Sequence, residues 1–227
     1  MSKSSKLIFP AIRLRALLIS GVTVFVFGIC LKACAPYFIE QRVVAKIEQL
    51  GGSVETMLMR PDWIPDAIHE DYLTLFERVV RVEMNGMRIG DEHLQQLQLL
   101  KHLQHLSLAQ TGISDDGLAH LREMTKLEGL NLRLTQVTDA GLRQLQGLSS
   151  LSYLVLDYTR VSDAGLVFLH NFSRLQFLSL RATLISQAGL TRYLQTAHLL
   201  TDPIYSPLKT ARTPPGPPPR EHRLNST

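Results

Sequence analysis

TGISDDGL (Thr111–Leu118), TQVTDAGL (Thr135–Leu142), TRVSDAGL (Thr159–Leu166) and TLISQAGL (Thr183–Leu190) are four versions of one phrase. They start at 111, 135, 159 and 183, a constant period of 24 residues. Ahead of each lies a second phrase, Leu-x-x-Leu-x-Leu, at Leu103/Leu106/Leu108, Leu127/Leu130/Leu132, Leu151/Leu154/Leu156 and Leu175/Leu178/Leu180. One period upstream, Val79, Val82 and Met84 make a degenerate first copy that reaches Met87 where the others have Thr. The Leu-x-Leu core has period 2, which specifies a strand with one buried face. The following part switches to helical spacing: Leu118, Leu121 and Met124, then Leu142 and Leu145, then Leu166 and Leu169. Ser114, Thr138, Ser162 and Ser186 stand at N-cap positions, with Asp115, Asp139 and Asp163 next, at the positive end of the helix dipole.

Each unit therefore reads as strand, turn and short helix. No unit can bury its Leu face alone, and stacking is the solution. A Leu-rich period between about 20 and 29 residues is the mark of a leucine-rich solenoid. The expected fold class is α/β, a short solenoid with parallel strands on the concave side and helices on the convex side. Five stacked strands at about 4.8 Å each span only about 20–25 Å, a small arc. Thr111, Thr135, Thr159 and Thr183 are expected to bond the turn backbone, and Gly117, Gly141, Gly165 and Gly189 to admit close helix–strand packing.

These repeats resemble the 24-residue leucine-rich repeats with a T-x-[IV]-[ST]-D-A-G-L phrase found in planctomycete membrane-anchored proteins. They are also similar to the repeats of F-box/leucine-rich substrate receptors. The resemblance runs from about Ile39 to Leu194. It departs at one position, where Thr replaces the usual Asn or Cys, and no F-box-like segment lies upstream. It implies a binding role, with no particular ligand.

Outside the repeats the chain divides into a basic N-terminus (1–15), an apolar segment (16–35), a helical cap (36–78), the repeats (79–200) and a Pro-rich tail (201–227). In the cap, Val43, Val44, Ile47 and Leu50 mark one helix face, which Gly51-Gly52 ends. Ser53–Met59 alternates like a strand, and Trp63, Ile64, Tyr72, Leu73, Leu75 and Phe76 form an apolar cluster. The last repeat's helix offers Leu190, Tyr193, Leu194 and Ala197 as its apolar face. Asp202-Pro203 interrupts what would be a further strand from Leu199, because Pro cannot donate to a ladder. Seven of the eleven prolines lie from Pro203 onward, a composition suited to a solvated polyproline-type tail.

Ala16–Leu31 is an uncharged apolar run with Arg13 and Arg15 before it and Lys32 after. With four positive charges ahead of the run, a single-pass transmembrane helix is expected, N-terminus cytoplasmic and repeats extracytoplasmic. Cleavage near Ala33-Cys34-Ala35 would instead secrete the repeats, and acylation of Cys34 would anchor them through lipid. Cys30 and Cys34 are the only cysteines, so the repeats contain no disulfide or thiolate site. Net charge is +4, but residues 1–35 carry +5 and 201–227 carry +2, leaving −3 for residues 36–200. That balance speaks against nucleic-acid binding by the folded part.

The sequence has no His-Glu-x-x-His, Gly-x-Ser-x-Gly, Gly-x-x-x-x-Gly-Lys or Gly-x-Gly-x-x-Gly phrase. We therefore expect no enzyme activity, cofactor or metal. A solenoid usually binds through its concave sheet. The positions alternating with buried Leu are Arg81 and Glu83, His105 and Ser107, Gly129 and Asn131, Tyr153 and Val155, Phe177 and Ser179. Arg133, Asp157 and Arg181 follow in the next column. Tyr153 and Phe177 fall on the same slot of neighbouring strands, with rings about 5 Å apart. With Val155 they should make an exposed apolar patch flanked by charge, the composition of a protein-binding centre. A protein or a surface polymer is the expected partner. An adaptor of the F-box type, presenting a client to a catalytic partner, is the alternative the resemblance implies.

Overall fold

The computed structural model describes residues 35–62, 64–65, 67–69 and 73–196. Of the expectations above, the apolar run 16–31, Cys30, Cys34, Trp63, Tyr72, Ala197, Leu199 and the tail 201–227 lie outside these residues. Among the described residues no helix is long and apolar enough to cross a membrane.

The first element is a helix over 35–49 (α1), which buries Val43 and Ile47 and ends where Gly51 turns left-handed, φ 91°. Strand β1 (Ser53–Leu58) follows. The strands of the repeats are β2 (Glu77–Glu83), β3 (His105–Ser107), β4 (Gly129–Asn131), β5 (Tyr153–Val155) and β6 (Phe177–Ser179). The helices between and after them are α2 (Leu94–Leu97), α3 (Asp115–Leu118), α4 (Asp139–Gln144), α5 (Leu166–Leu169) and α6 (Gln187–Thr196). The six strands form one sheet in chain order. β2 to β6 pair parallel and shift by one period at each step, so that Arg81, His105, Gly129, Tyr153 and Phe177 stand in one row. β1 adds to β2 antiparallel, with a bulge between Glu55 and Thr56. The expected five-stranded parallel sheet thus gains a sixth strand. The expected helical cap is a helix plus a strand that pairs the first repeat's free edge, which would otherwise expose its backbone groups.

The core is a stack of Leu layers. Leu130, Leu132, Leu142, Leu145, Leu154 and Leu156 are 0% exposed. Full burial of each stabilises by about 1.5–3 kcal/mol. Leu178, Leu180 and Ile185 of the last repeat are only partly buried, because no described layer stacks beyond them. At the other end Glu40 of α1 is buried, and its Oε2 accepts the Val79 N–H at 3.0 Å. Burial pushes its pKa up, against the Val79 bond and the Arg78 charge that lower it.

The phrase after each strand is held by three periodic devices. The first is the Thr hydroxyl. Thr111, Thr135 and Thr159 each donate to the carbonyl three residues back at 2.6 Å, and Thr183 does so at 2.9 Å. The second is a left-handed residue just before each Thr: Gln110, Leu134, Tyr158 and Ala182, with φ between 53° and 59°. Gly86 holds this place in the first copy, φ 71°. It directs N–H groups back into the ladder, as when the Tyr158 N–H meets the Arg181 carbonyl at 2.8 Å.

The third device joins successive repeats. Asp91, Asp115, Asp139 and Asp163 each accept two bonds from the next repeat's cap residue, one from its N–H and one from its hydroxyl. Distances are 2.8 and 2.5 Å at Ser114, 2.8 and 2.6 Å at Thr138 and Ser162, and 2.7 and 2.6 Å at Ser186. The cap oxygen in turn accepts an N–H at its own turn, from Asp116, Ala140, Ala164 or Gly189. The aspartates are therefore ties between repeats as well as charges at a helix start. α5 begins only at Leu166, so Ser162 caps a turn rather than a helix.

This geometry also corrects the reading of the repeated glycines. A Cβ on Gly117, Gly141, Gly165 or Gly189 would lie 2.2 to 2.3 Å from the carboxylate of Asp91, Asp115, Asp139 or Asp163. The space these glycines leave is for the preceding repeat's aspartate, not for the strand.

Candidate functional site

Arg81, His105, Tyr153 and Phe177 share the first row of the sheet face turned away from the helices, with Gly129 between them. Arg81 pairs with Glu55 of β1 at 3.0 Å, so much of its charge is used within the sheet. His105 lies over Gly129, where an added Cβ would meet its Nδ1 at 2.5 Å. Burial and the Arg81 charge hold its pKa below the ordinary value, favouring neutral imidazole. Tyr153 and Phe177 stack with centroids 4.4 Å apart and planes within 9°. Phe177 is 41% exposed and Tyr153 is half-buried. Burial and the nearby Asp157 carboxylate push the Tyr153 phenol upward, so it stays a neutral donor.

The second row, Glu83, Ser107, Asn131, Val155 and Ser179, is mostly committed to the fold. Ser107 donates to Asn85 Oδ1 at 2.6 Å and accepts from Asn131 Nδ2 at 3.0 Å. Asn131 Oδ1 accepts the Arg133 N–H at 3.1 Å. Ser179 donates to Asp157 Oδ1 at 2.5 Å, and the same oxygen accepts the Arg181 N–H at 2.8 Å. Glu83 is exposed. Val155, expected to extend the exposed apolar patch, is only 7% exposed. It lies between Asn131 and Ser179 on strands about 4.8 Å away, and a small side chain flanked that closely is covered by its neighbours.

Arg133 and Arg181 are exposed beyond the strand ends. No carboxylate of a described residue lies within ion-pair distance of either guanidinium. Arg133 instead sits over the Tyr158 ring, 5.6 Å from its centroid. Tyr158 and its neighbour Leu134 are 48% and 38% exposed in the left-handed column. Neither was singled out from sequence, because both fall in the variable positions just before Thr. The signal available was their size, at a place where Gly86 serves the first copy.

Among the described residues no group of three His, Cys, Asp or Glu side chains is placed to hold a metal ion. A cleft of about 130 Å³ lies by the segments entering β3 and β4, among Gln98, Lys101, Glu123 and Lys126. It is well below the several hundred Å³ usual for a small-molecule site.

The Leucine Rich repeat family matches at residues 100–121, across the first full copy of the phrase. The chain carries a leucine-rich repeat domain. Solved structures similar to this leucine-rich repeat chain include an internalin (inlF) from Listeria monocytogenes. It shares 25% identity at a TM-score of 0.41, over 47% of this chain and 29% of that one. The tropomodulin C-terminal domain of Caenorhabditis elegans shares 23% identity at a TM-score of 0.43, over 53% and 83% of the two chains. The ectodomain of the receptor kinase SOBIR1 from Arabidopsis thaliana shares 17% at 0.40, over 67% and 85%. The leucine-rich repeat chain spans less than a third of the internalin's length. A search of curated proteins returns no match.

Proposed function

We propose that this leucine-rich repeat domain is a non-enzymatic recognition module that binds another protein through its concave sheet, tethered to a membrane by the apolar run Ala16–Leu31. The observation that carries the binding reading is the Tyr153–Phe177 stack, with one ring 41% exposed on the sheet face. Ser107, Asn131 and Ser179 on the same face are hydrogen-bonded into the fold, which leaves the stack, Glu83 and the arginines beyond the strand ends to face outward. Aromatic and Arg side chains concentrate the binding energy of protein interfaces. Support for the tether comes from sequence: sixteen uncharged apolar residues with basic flanks.

A photo-crosslinking side chain placed at Phe177 in host membranes tests the binding reading, against the same group at Val167, 61% exposed on α5. An adduct formed from 177 and absent from 167 is expected. Equal adducts from both, or adducts from 167 alone, would remove the sheet face from consideration. Intact mass, with protease accessibility of the repeats in sealed cells, tests the tether: full-length protein cut from outside is expected. Repeats reached only after lysis would place them in the cytoplasm and move the proposal to an adaptor.

A further inference from the structure

The side chains at two strand exits, Leu134 and Tyr158, are large and exposed. Both hold left-handed backbone, at φ 56° and 58°. That conformation is disfavoured for an L-residue, whereas glycine adopts it freely. Burial does not compensate, since both side chains remain well exposed. The fold requires the left-handed turn in every repeat but not a large side chain on it, so Leu134 and Tyr158 add exposed apolar surface at these two positions.

Beside that column, Arg133 and Arg181 flank Asp157. The Asp157 Oδ1 already accepts the Ser179 hydroxyl and the Arg181 N–H. The two guanidinium groups lack a carboxylate partner among the described residues. In the row of Arg133, Asp157 and Arg181 the balance is two positive charges to one negative, although residues 36–200 sum to −3. The cation cluster therefore runs against the charge of the domain that carries it.

Resting on the concave-face reading and narrowing it, we infer that the C-terminal half of the sheet face binds an extended acidic–aromatic segment of another protein. An aromatic or large aliphatic side chain packs on the Tyr153–Phe177 stack. A carboxylate three or four residues away is taken by Arg133 and Arg181 against the Tyr158 ring. The spacing follows from the chain itself: Phe177 to Arg181 is four residues, about 13 Å of extended backbone. An extended ligand segment crosses the same distance with about the same number. Arginine suits the second contact because its planar fork meets a carboxylate bidentately and stacks on aromatic faces.

The test is selection of a displayed random-dodecapeptide library on the full-length chain in detergent. The enriched pool is expected to carry Asp or Glu within four residues of an aromatic or Leu. Its binding should fall about tenfold or more in Arg133→Ser/Arg181→Ser and several-fold in Tyr158→Ala, and weaken from 50 mM to 500 mM salt. Arg143→Ser on α4 should leave it unchanged, and circular dichroism checks that each variant is folded. An enriched pool that is neutral or basic, or indifferent to the arginine pair, overturns the inference. If such a pool still needs Tyr153 and Phe177, the concave-face reading survives without it. Acidic peptides that bind independently of both aromatic residues, or the absence of any enriched pool, overturn the inference, while the concave-face reading is decided separately by crosslinking from Phe177.

Discussion

Asp115 and Thr138 join two repeats by a two-point contact: the Thr138 N–H and hydroxyl reach Asp115 Oδ1 and Oδ2 at 2.8 and 2.6 Å. The same Thr138 oxygen then caps α4 through the Ala140 N–H at 3.2 Å. One carboxylate thus fixes both the stacking of two units and the start of a helix. Asp115→Ala should destabilise the domain by about 1–3 kcal/mol, the range for stranding a part-buried donor. Asp115→Asn, which can still accept the N–H, should lie between. Urea unfolding measures both, and an alanine variant as stable as wild type would show the tie to be dispensable.

Gly141 leaves room for that carboxylate, with a hypothetical Cβ only 2.3 Å from Asp115 Oδ1 and 2.9 Å from a Leu118 methyl. Gly141→Ala should therefore be destabilising even though Ala is the better helix former by up to about 1 kcal/mol. Its loss and that of Asp115→Ala should be non-additive, since each removes the same contact. Additive losses in the double-mutant cycle would mean that the Leu118 contact, and not the tie, sets the requirement for glycine.

The left-handed column predicts an inverted response to glycine. Ala182→Gly, at φ 53°, should leave stability unchanged or raise it by up to about 1 kcal/mol, as relief of strain offsets the added freedom of the unfolded chain. Ala140→Gly inside α4 should lower it by roughly 0.5–1 kcal/mol. Gly86→Ala should be destabilising, because it puts a Cβ on backbone at φ 71°. Thermal unfolding of the three variants settles the pattern, and a glycine penalty at 182 equal to that at 140 would contradict it.

Two carboxylates predict opposite pH dependences. Asp163 has its pKa lowered, chiefly by the Ser186 hydroxyl and then by the Ser186 N–H. Its contribution is present above the unfolded value and is lost as pH falls through the folded one. Asp163→Asn should flatten the acid limb of the stability curve. Glu40 has its pKa raised, chiefly by burial. The folded state then binds this proton more tightly than the unfolded chain does. Stability should fall as pH rises from the ordinary carboxylate value through the raised one, and Glu40→Gln, neutral throughout, should remove that fall. Glu40→Ala strands the Val79 N–H and should be destabilising at every pH. Chemical denaturation from pH 2 to pH 8 compares the variants, and a Glu40→Gln curve parallel to wild type would refute the assignment.

Much of the site was legible because a solenoid converts sequence period into spatial register. Tyr153 and Phe177 differ by one period, so their adjacency followed from counting, and the rings stack as that count requires. Val155 was misjudged by the same alternation. Its side chain does occupy the outward slot, but the alternation carries no information about the widths of Asn131 and Ser179 beside it. The aspartate ties had a signal: Asp91/Ser114, Asp115/Thr138, Asp139/Ser162 and Asp163/Ser186 all recur at a spacing of 23. Read one helix at a time, those aspartates look like N-terminal charges and nothing more.

By itself the sequence determined the repeat, its strand and short helix, the Thr hydroxyl bond and the rows of the sheet. Each of these rests on local geometry or on a constant period, and apolar residues at periods 2 and 3.6 can bury one face only in that way. The tertiary structure alone decided which groups meet across the stack. It set β1 antiparallel against β2, brought the Glu40 carboxylate to the Val79 N–H 39 positions later, and filled the space above each glycine with an aspartate from the repeat before. It also turned Leu134 and Tyr158 outward on left-handed backbone, beside arginines with no carboxylate of a described residue within ion-pair distance. Such contacts depend on where whole units come to rest against one another. That is set by the packing of all the Leu layers together, and no single window of sequence contains it.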